Sequence, residues 1–275
     1  MKNKLYWLLL LPGLMLLVIF LVIPLFNTLY PTIYDNGFTL SKYIEFFKDE
    51  YYVNILIRTL KISIISTLVC IILGTPTAYY ISRCNKKWRS LLIAISIFPL
   101  LTNSVVRSFA WINILGKNGV INTFLLKFGL IKEPLTLLYT EFAIIIGTIY
   151  LFLPLMIITV VGVMENIDND MMEAAESLGA NRITAFIKVV LPMSLPGIIV
   201  GGVLVFTGAL TAYTTPQLLG GNKNLVLATF IYQKAMSVGD WTGASVIATI
   251  MIVITVLVIK ILNGVASKLD KRGEN

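Results

Sequence analysis

The sequence predicts an all-α polytopic membrane protein with six transmembrane helices, and three observations support this. Of the 275 residues, 57% are hydrophobic and only 13% are charged, whereas soluble domains usually carry about 25% charged residues. Charges are missing from six long stretches, most of which reach the ~20 residues that a helix needs to cross a bilayer. The net charge of +8 is concentrated in alternate connections between those stretches, as topology signals are. A soluble globular enzyme is therefore not expected.

The six charge-poor stretches give the predicted spans in chain order. The first is too long for the apolar part of a secretory signal and lacks a small-residue cleavage site, so we expect it to remain as a membrane helix. The third reaches full length only by continuing past Arg107. Prolines within the spans are acceptable because neighbouring helices can satisfy the freed carbonyls. The predicted spans are Leu5–Phe26, Lys61–Ile81, Ser90–Leu115, Phe142–Met164, Ser194–Thr215 and Gly243–Leu262.

Positive charges in the short connections predict the orientation. The connection from Arg83 to Arg89 carries four positive charges and no negative one, and such segments stay on the cytoplasmic side. Both termini are then cytoplasmic. A basic segment that includes Trp88 is also typical of RNA-binding surfaces. Between two membrane spans it more plausibly lies at anionic lipid headgroups, so no nucleic-acid partner is expected.

The composition also excludes much enzyme chemistry. Histidine is absent, which removes the usual general base near neutral pH and the commonest metal ligand. Cys70 and Cys84 are too few and too far apart to suggest a metal site or a disulfide framework. We therefore expect no catalytic residue and no metal site in this chain.

The connection 165–192, between the fourth and fifth spans, is more regular than a linker. Asp170 is predicted to cap a short helix, with Glu173 completing a capping box. Gly179 can take a positive φ and end that helix. A second helix with apolar residues at helical spacing follows, and Pro192 is predicted to close it.

This connection resembles the EAA loop of ABC-importer permeases. Glu and Ala are ordinary helix formers, so the triplet alone would indicate only a surface helix. The full spacing of Glu-Ala-Ala, Gly, Val and Leu-Pro, between the fourth and fifth of six spans, favours the resemblance. It implies a type I ABC importer permease (MetI-like) fold, with one permease domain over residues 1–275. It also implies that the loop couples to a separate ATPase through Glu173, Ala174, Ala175, Leu178, Gly179, Val189, Leu191 and Pro192.

The resemblance also implies partners. These are a second homologous permease subunit, two cytoplasmic ATPase subunits and an extracytoplasmic substrate-binding protein, assembled in the lipid bilayer of the cytoplasmic membrane. The chain has no GxxxxGK[ST] loop that could hold ATP phosphates. ATP and Mg are therefore expected on the partner ATPase, and this chain is expected to be a non-catalytic subunit.

Further blocks resemble permeases of spermidine/putrescine-type importers. They are Pro99–Arg107, Gly116–Gly119, Thr215–Gly221 and Asp240-Trp241. Related importers of aminoethylphosphonate, ferric iron and opines share some of these blocks and remain alternatives. An ion-driven secondary transporter would usually show inverted repeats or intramembrane acidic residues, and neither is evident. An intramembrane enzyme is disfavoured because no activated nucleophile is evident.

Two groups of residues are candidates for the translocation path. Asn103, Arg107 and Trp111 are spaced four apart and share a helical face. They form either a polar stripe along the path or an Arg that snorkels to the outer interface beside an aromatic anchor. Tyr213 and Thr214 end a small, hydroxyl-rich run that either packs closely or lines a cavity, and the resemblance places the fifth span at the path.

The spans hold no central Asp or Glu, although charge complementarity would favour carboxylates along the path of a polycation. A partner permease could supply them. Alternatively, cation–π contacts from Trp111 and Tyr213 could serve.

Overall fold

The computed structural model describes residues 2–34 and 37–270, and these confirm the all-α prediction. They contain no β-strand, and their only bridge joins Tyr34 to Phe38. The first seven α-helices are α1 Lys2–Leu17, α2 Ile23–Ile33, α3 Ser41–Lys48, α4 Glu50–Ser82, α5 Lys86–Leu101, α6 Ser104–Leu115 and α7 Val120–Lys127.

The remaining helices include those of the predicted coupling loop, residues 165–192, and the last two long spans. They are α8 Glu141–Met164, α9 Asp170–Ser177, α10 Arg182–Ala185, α11 Leu191–Thr211, α12 Thr214–Gly220, α13 Leu227–Tyr232 and α14 Trp241–Asp270. Three π-helical turns, Val18–Val22, Phe186–Val190 and Gln233–Val238, and one 3₁₀ turn, Gly221–Lys223, continue or connect them.

Within the described part of the chain, five helical segments are long and apolar enough to cross a membrane. A bent pair brings the number to six if it is counted as one span. The predicted third span is this bent pair, and the other five predictions fall on long helices with shifted ends. The long segments are Leu10–Ile33, Glu50–Ser82, Glu141–Met164, Arg182–Thr211 and Trp241–Gly264.

The third span is not the continuous helix that the apolar run Ser90–Leu115 predicts. It breaks at Thr102, which is extended, and the two arms are bent by 92°. Asn103 then starts α6 as its N-cap, accepting hydrogen bonds from the backbone N–H groups of Val105 (2.9 Å) and Val106 (3.3 Å). An Asn side chain that satisfies otherwise unpaired N–H groups stabilises a new helix start, and this explains the break.

The prediction that Pro192 closes a separate second coupling helix is wrong. Helical backbone runs without interruption from Arg182 to Thr211. The π-helical turn Phe186–Val190 lies directly before the proline, and the N–H of Leu191 bonds to the carbonyl of Phe186. A π turn is one of the local adjustments by which membrane helices accommodate proline.

The described residues fall into two compact units. The larger comprises Ile55–Thr229 and Val253–Asn275. In it α8 packs against α11 and α5, around fully buried residues that include Cys70, Met156 and Val160. Small residues permit the close packing of α11 on α8: a Cβ at Gly197 would lie 2.6 Å from Cγ2 of Val163.

The smaller unit comprises Met1–Asn54 and Phe230–Ile252. In its described part, the hydroxyls of Thr32 and Tyr43 lie 2.6 Å apart, joining α2 to α3. Phe46 of α3 is buried and packs against the ring of Tyr52, with 5.6 Å between ring centroids. The expectation of a single permease domain over residues 1–275 remains a prediction.

Candidate coupling surface and solute path

The first coupling helix, α9, ends in a Schellman turn. The N–H of Gly179 bonds to the carbonyl of Glu176 (2.9 Å), and the N–H of Ala180 bonds to the carbonyl of Ala175 (3.1 Å). These two bonds define the motif, which requires a left-handed residue after the helix. Gly179 supplies it with φ +88°, so the predicted turn at this glycine is confirmed. Asn181 then caps α10 by accepting from the N–H of Thr184.

The start of α9 differs from the predicted capping box. Its N-cap residue is Asn169, which makes no side-chain cap bond, and Asp170 is the first helical residue. A carboxylate oxygen of Asp168 instead accepts from the N–H of Asp170 at 3.2 Å. The acidic residues thus stabilise the N-terminus of α9 through its dipole rather than as a box.

The helix α9 has an inner and an outer face. Met172 is buried in the core cluster of the larger unit, and Ala175 packs against that cluster. Glu173 and Ala174 are exposed, and the side chain of Leu178 is 90% exposed at the end of the helix. Ile183 is also largely exposed, so an apolar patch flanks the turn. Exposed apolar patches rimmed by polar residues are typical of protein–protein interfaces.

The other coupling candidates lie in the next helical segment, Arg182–Thr211. Val189 belongs to the π-helical turn and is half-buried. Leu191 packs against the core cluster, and Pro192 is exposed. Their role in coupling remains a prediction.

Two arginines that the sequence identified only as topology signals hold the coupling loop. Arg83 Nη1 donates to the carbonyl of Ile167 at 2.9 Å and to the side chain of Asn169. Arg89, at the start of α5, forms an ion pair with Glu165 at the end of α8. The basic connection therefore fixes both the beginning of the loop and the residue that precedes α9.

A groove of about 580 Å³ lies beside Arg83, and its lining includes Glu173, Glu176 and Arg182. The guanidinium of Arg83 also lies over the ring of Tyr79, 5.5 Å from its centroid. Its Nε and Nη2 atoms are buried and have no hydrogen-bond partner among the described residues. The Nε–Nη2 edge of a guanidinium can donate two parallel hydrogen bonds to a carboxylate or a phosphate.

Arg107, a candidate path residue, is 7% exposed. Its Nη1 donates to the carbonyls of Pro99 (2.7 Å) and Thr102 (3.3 Å), at the C-terminal end of α5. These carbonyls have no partner within α5 because the helix ends there. Arg107 thus joins the two arms of the third span across their 92° bend and stabilises it.

Asn103 and Trp111 have structural contacts as well. Asn103 is the N-cap of α6, as described above. Trp111 packs edge-to-face on Tyr150 of α8, with 5.6 Å between ring centroids and an interplanar angle of 76°. Their place in the translocation path remains a prediction.

Tyr213 and Thr214 do not continue the fifth span. Helix α11 ends at Thr211, Ala212 is extended, and α12 begins at Thr214. Helix α12 packs against α6 and α8, so the structure brings together the two elements that carry the candidate path residues. Both Tyr213 and Thr214 are half-buried.

Glu141, at the N-terminus of α8, carries an ion-pair network that the sequence did not reveal. Its two carboxylate oxygens pair with Arg58 Nε (3.1 Å) and Lys61 Nζ (2.8 Å) of α4. Arg58 also donates to the carbonyl of Leu225 at 3.2 Å. Among residues 2–34 and 37–270, no three His, Cys, Asp or Glu side chains are grouped so that they could hold a metal ion.

The described residues form a multi-pass helical bundle in which the long helices α8 and α11 are joined by a partly exposed helical turn. Residues 52–272 match the family described as "Binding-protein-dependent transport system inner membrane component". The chain belongs to this family, and it is a multi-pass inner-membrane permease of an ABC importer.

Close relatives share the family. The chain is 34% identical over 223 residues, 81% of each chain, to the spermidine/putrescine transport system permease protein PotB of Escherichia coli (strain K12). It is 34% identical over 226 residues, 82% of this chain and 79% of the relative, to PotB of Haemophilus influenzae (strain ATCC 51907 / DSM 11121 / KW20 / Rd).

A solved structure shows the same fold. A chain from the crystal structure of a bacterial alginate ABC transporter, in complex with alginate pentasaccharide-bound periplasmic protein, superposes with a TM-score of 0.83. The two share 20% sequence identity, and the match covers 98% of this chain and 96% of that one. The expected permease fold is confirmed.

Proposed function

We propose that this permease carries a polyamine of the spermidine/putrescine class across the cytoplasmic membrane by alternating access. The observation that carries this proposal is the 34% identity to PotB, which extends over 81% of both chains. The alternatives of aminoethylphosphonate, ferric iron or opine transport have no comparable support.

The energy for this movement comes from partner ATPases. ATP and Mg bind to those subunits, because this sequence contains no phosphate-binding loop of the GxxxxGK[ST] type. The assembled importer contains two such ATPases, a second homologous permease and an extracytoplasmic substrate-binding protein. This chain is its non-catalytic membrane part.

The ATPase docks on the turn between α9 and α10. Leu178 and Ile183 present exposed apolar surface there, while the Schellman turn at Gly179 and the bonds from Arg83 hold that surface rigidly. A rigid turn transmits a displacement of the ATPase into α8 and α11, because both helices continue directly from the loop.

This docking site must face the cytoplasm, as must both termini. The positive charges between Arg83 and Arg89 support that orientation, and Arg83 and Arg89 contact the coupling loop itself. The opposite connections, including that between α11 and α14, are then extracytoplasmic.

The solute path runs beside the bend of the third span. Helices α6 and α12 pack against each other, and we assign to the path wall the candidate residues within them or at their N-caps: Asn103, Arg107, Trp111, Tyr213 and Thr214. Aromatic rings of Trp111 and Tyr213 can attract a cation, and the partner permease supplies the carboxylates that these spans lack.

The substrate assignment is tested on the cognate binding protein. Spermidine and putrescine are expected to raise its melting temperature by mass action, and the reconstituted importer is expected to accumulate radiolabelled putrescine only with ATP. A binding protein that responds to an anion but not to either polyamine would refute the assignment.

Coupling is tested with Leu178→Asp. A charge at this exposed apolar position is expected to reduce co-purification of the ATPase at least about tenfold without changing membrane insertion. Leu130→Asp, at a largely exposed leucine on a different connection, is the matched control. Full ATPase recovery with Leu178→Asp would remove the docking assignment.

A further inference from the structure

The smaller unit contains a polar cavity of about 290 Å³ that the coupling loop and the bend of the third span do not involve. Helix α3 contributes Lys42 and Glu45 to its lining, and the start of α4 contributes Tyr52. Lys234 of the π-helical turn Gln233–Val238 and Asp240, which directly precedes α14, also line it. With the orientation proposed above, the cavity lies on the side from which solute arrives.

The ammonium group of Lys234 lies next to one carboxylate and two aromatic rings. It lies 3.3 Å from Oδ2 of Asp240, 5.2 Å from the centroid of the Tyr52 ring and 5.9 Å from that of Phe230. The two rings are themselves in contact, with centroids 5.1 Å apart. A hydrogen bond to Tyr52 and the neighbouring Asp240 carboxylate raise the pKa of Lys234 above its ordinary value.

The carboxylate of this arrangement has a second partner, whereas the cation is carried by a long side chain. Oδ1 of Asp240 accepts from the N–H of Gly243 at 2.7 Å, so the carboxylate caps α14 whether or not Lys234 is bound. Phe230 is buried. Lys234, in contrast, extends on a flexible four-carbon stem from the π-helical turn Gln233–Val238, a type of turn found frequently at functional sites.

We propose that this cavity binds a primary ammonium group of the transported polyamine, and that Lys234 is an internal occupant that the solute displaces. The proposal rests on the polyamine function above. The chemistry of the site matches: two aromatic faces and a carboxylate receive a cation, and an alkylammonium replaces an identical group, so the exchange costs little.

The charges around the cavity favour this exchange. With Lys234 in place, the ammonium groups of Lys42 and Lys234 balance the carboxylates of Glu45 and Asp240. When Lys234 withdraws, the cavity carries a net negative charge that attracts a cation. Glu45, which is exposed, is placed to meet a second ammonium group of the same solute.

The test measures binding of putrescine to the purified full-length permease with its partner permease, by thermal shift over a concentration series. Lys234→Met removes the internal competitor and keeps an apolar stem. It is expected to lower the putrescine concentration that gives a half-maximal shift by about three- to tenfold, because the apparent affinity scales with the fraction of open sites. Lys234→Arg keeps a cation in the cavity and is expected to resemble the wild type.

Asp240→Asn removes the charge but keeps the Oδ1 acceptor that caps α14, and it is expected to weaken putrescine binding. Phe230→Leu provides a second variant that removes one aromatic face. Lys127→Met, an exposed lysine at the end of α7, is the matched control. 1,4-Butanediol, which has the same length and no charge, is expected to give no shift. An equal midpoint for Lys234→Met, Lys234→Arg and the wild type would overturn the proposal.

Uptake of putrescine by the wild-type importer separates this result from the substrate assignment. If the importer takes up putrescine but the variants have the wild-type thermal-shift midpoints, the proposed ammonium site is refuted and the polyamine function is retained. Absence of uptake refutes the function. In that case a methylammonium titration of Lys234→Met still tests the ammonium cavity, and an absent shift overturns it.

Discussion

Replacing Arg83 with methionine tests whether the basic connection holds the coupling helix. The substitution removes the bonds from Nη1 to the Ile167 carbonyl and to Asn169. Hydrogen bonds from a charged donor contribute about 1.5–3 kcal/mol each, and because Arg83 is only half-buried the pair is worth about 2 kcal/mol after rehydration. The methionine side chain can keep apolar packing on Tyr79, but the substitution also removes the cation–π contact with that ring.

Hydrogen exchange of the amides in α9 measures this loss. A decrease of about 2 kcal/mol in the free energy of local opening corresponds to about 30-fold faster exchange. Lys87→Met, an exposed cation of the same connection, removes the same charge without a loop contact and is expected to leave exchange unchanged. Equal exchange in α9 for the two variants would refute the reasoning.

Two further substitutions test the packing of the larger unit. Gly197→Val places a Cβ 2.6 Å from a valine methyl of α8 and is expected to lower the free energy of unfolding by about 1–3 kcal/mol, measured by thermal unfolding. Gly162→Ala, with no atom near its Cβ, is expected to be neutral or slightly stabilising because alanine favours the helix. Asn122→Ala removes a fully buried amide that bonds to both backbone groups of Leu135 and to one further carbonyl. The substitution is expected to lower the free energy of unfolding by about 2–4 kcal/mol. Asn113→Ala, at an exposed position of α6, is its control. If either variant lost no more stability than its control, the corresponding packing assignment would be contradicted.

The coupling loop could be predicted from the sequence because its determinants are local. A glycine that must take a positive φ, an adjacent helix of eight residues and a fixed spacing to a Leu-Pro pair are all visible in a short segment. The π-helical turn before Pro192 could not be predicted in the same way. A proline in the sequence is compatible both with the end of a helix and with a helix that continues through a π-helical turn.

The bend of the third span shows what counting apolar residues misses. The run Ser90–Leu115 has the length of one span, but its end point depends on Asn103 capping a new helix and on Arg107 satisfying the carbonyls behind it. The pairing of Pro99 with a following Asn could have signalled a helix end and a helix start. The side chain of Arg107 could not be assigned from sequence, because its acceptors become available only after the chain bends.

The long-range contacts of the loop were equally hidden. Arg83 and Asn169 are far apart in sequence, and a positive charge at a membrane boundary already has a sufficient topological explanation. Only the structure shows that the same guanidinium also contacts the loop between α8 and α11. Arg83 is therefore both a charge that contributes to topology and a hydrogen-bond donor to the loop.

Gly179 and Ala175 are both expected to resist bulky replacement, but for different physical reasons. Ala175 packs against the core cluster, so added volume there displaces neighbours. A Cβ at Gly179 meets no atom within 4 Å, and its constraint is φ +88°. Asn tolerates left-handed conformations better than β-branched residues do, so Gly179→Asn is expected to retain more ATP-driven uptake than Gly179→Val if backbone strain is the cause. Equal loss of uptake in both variants, with normal protein yield, would instead show that the docked ATPase occupies the space beside this residue.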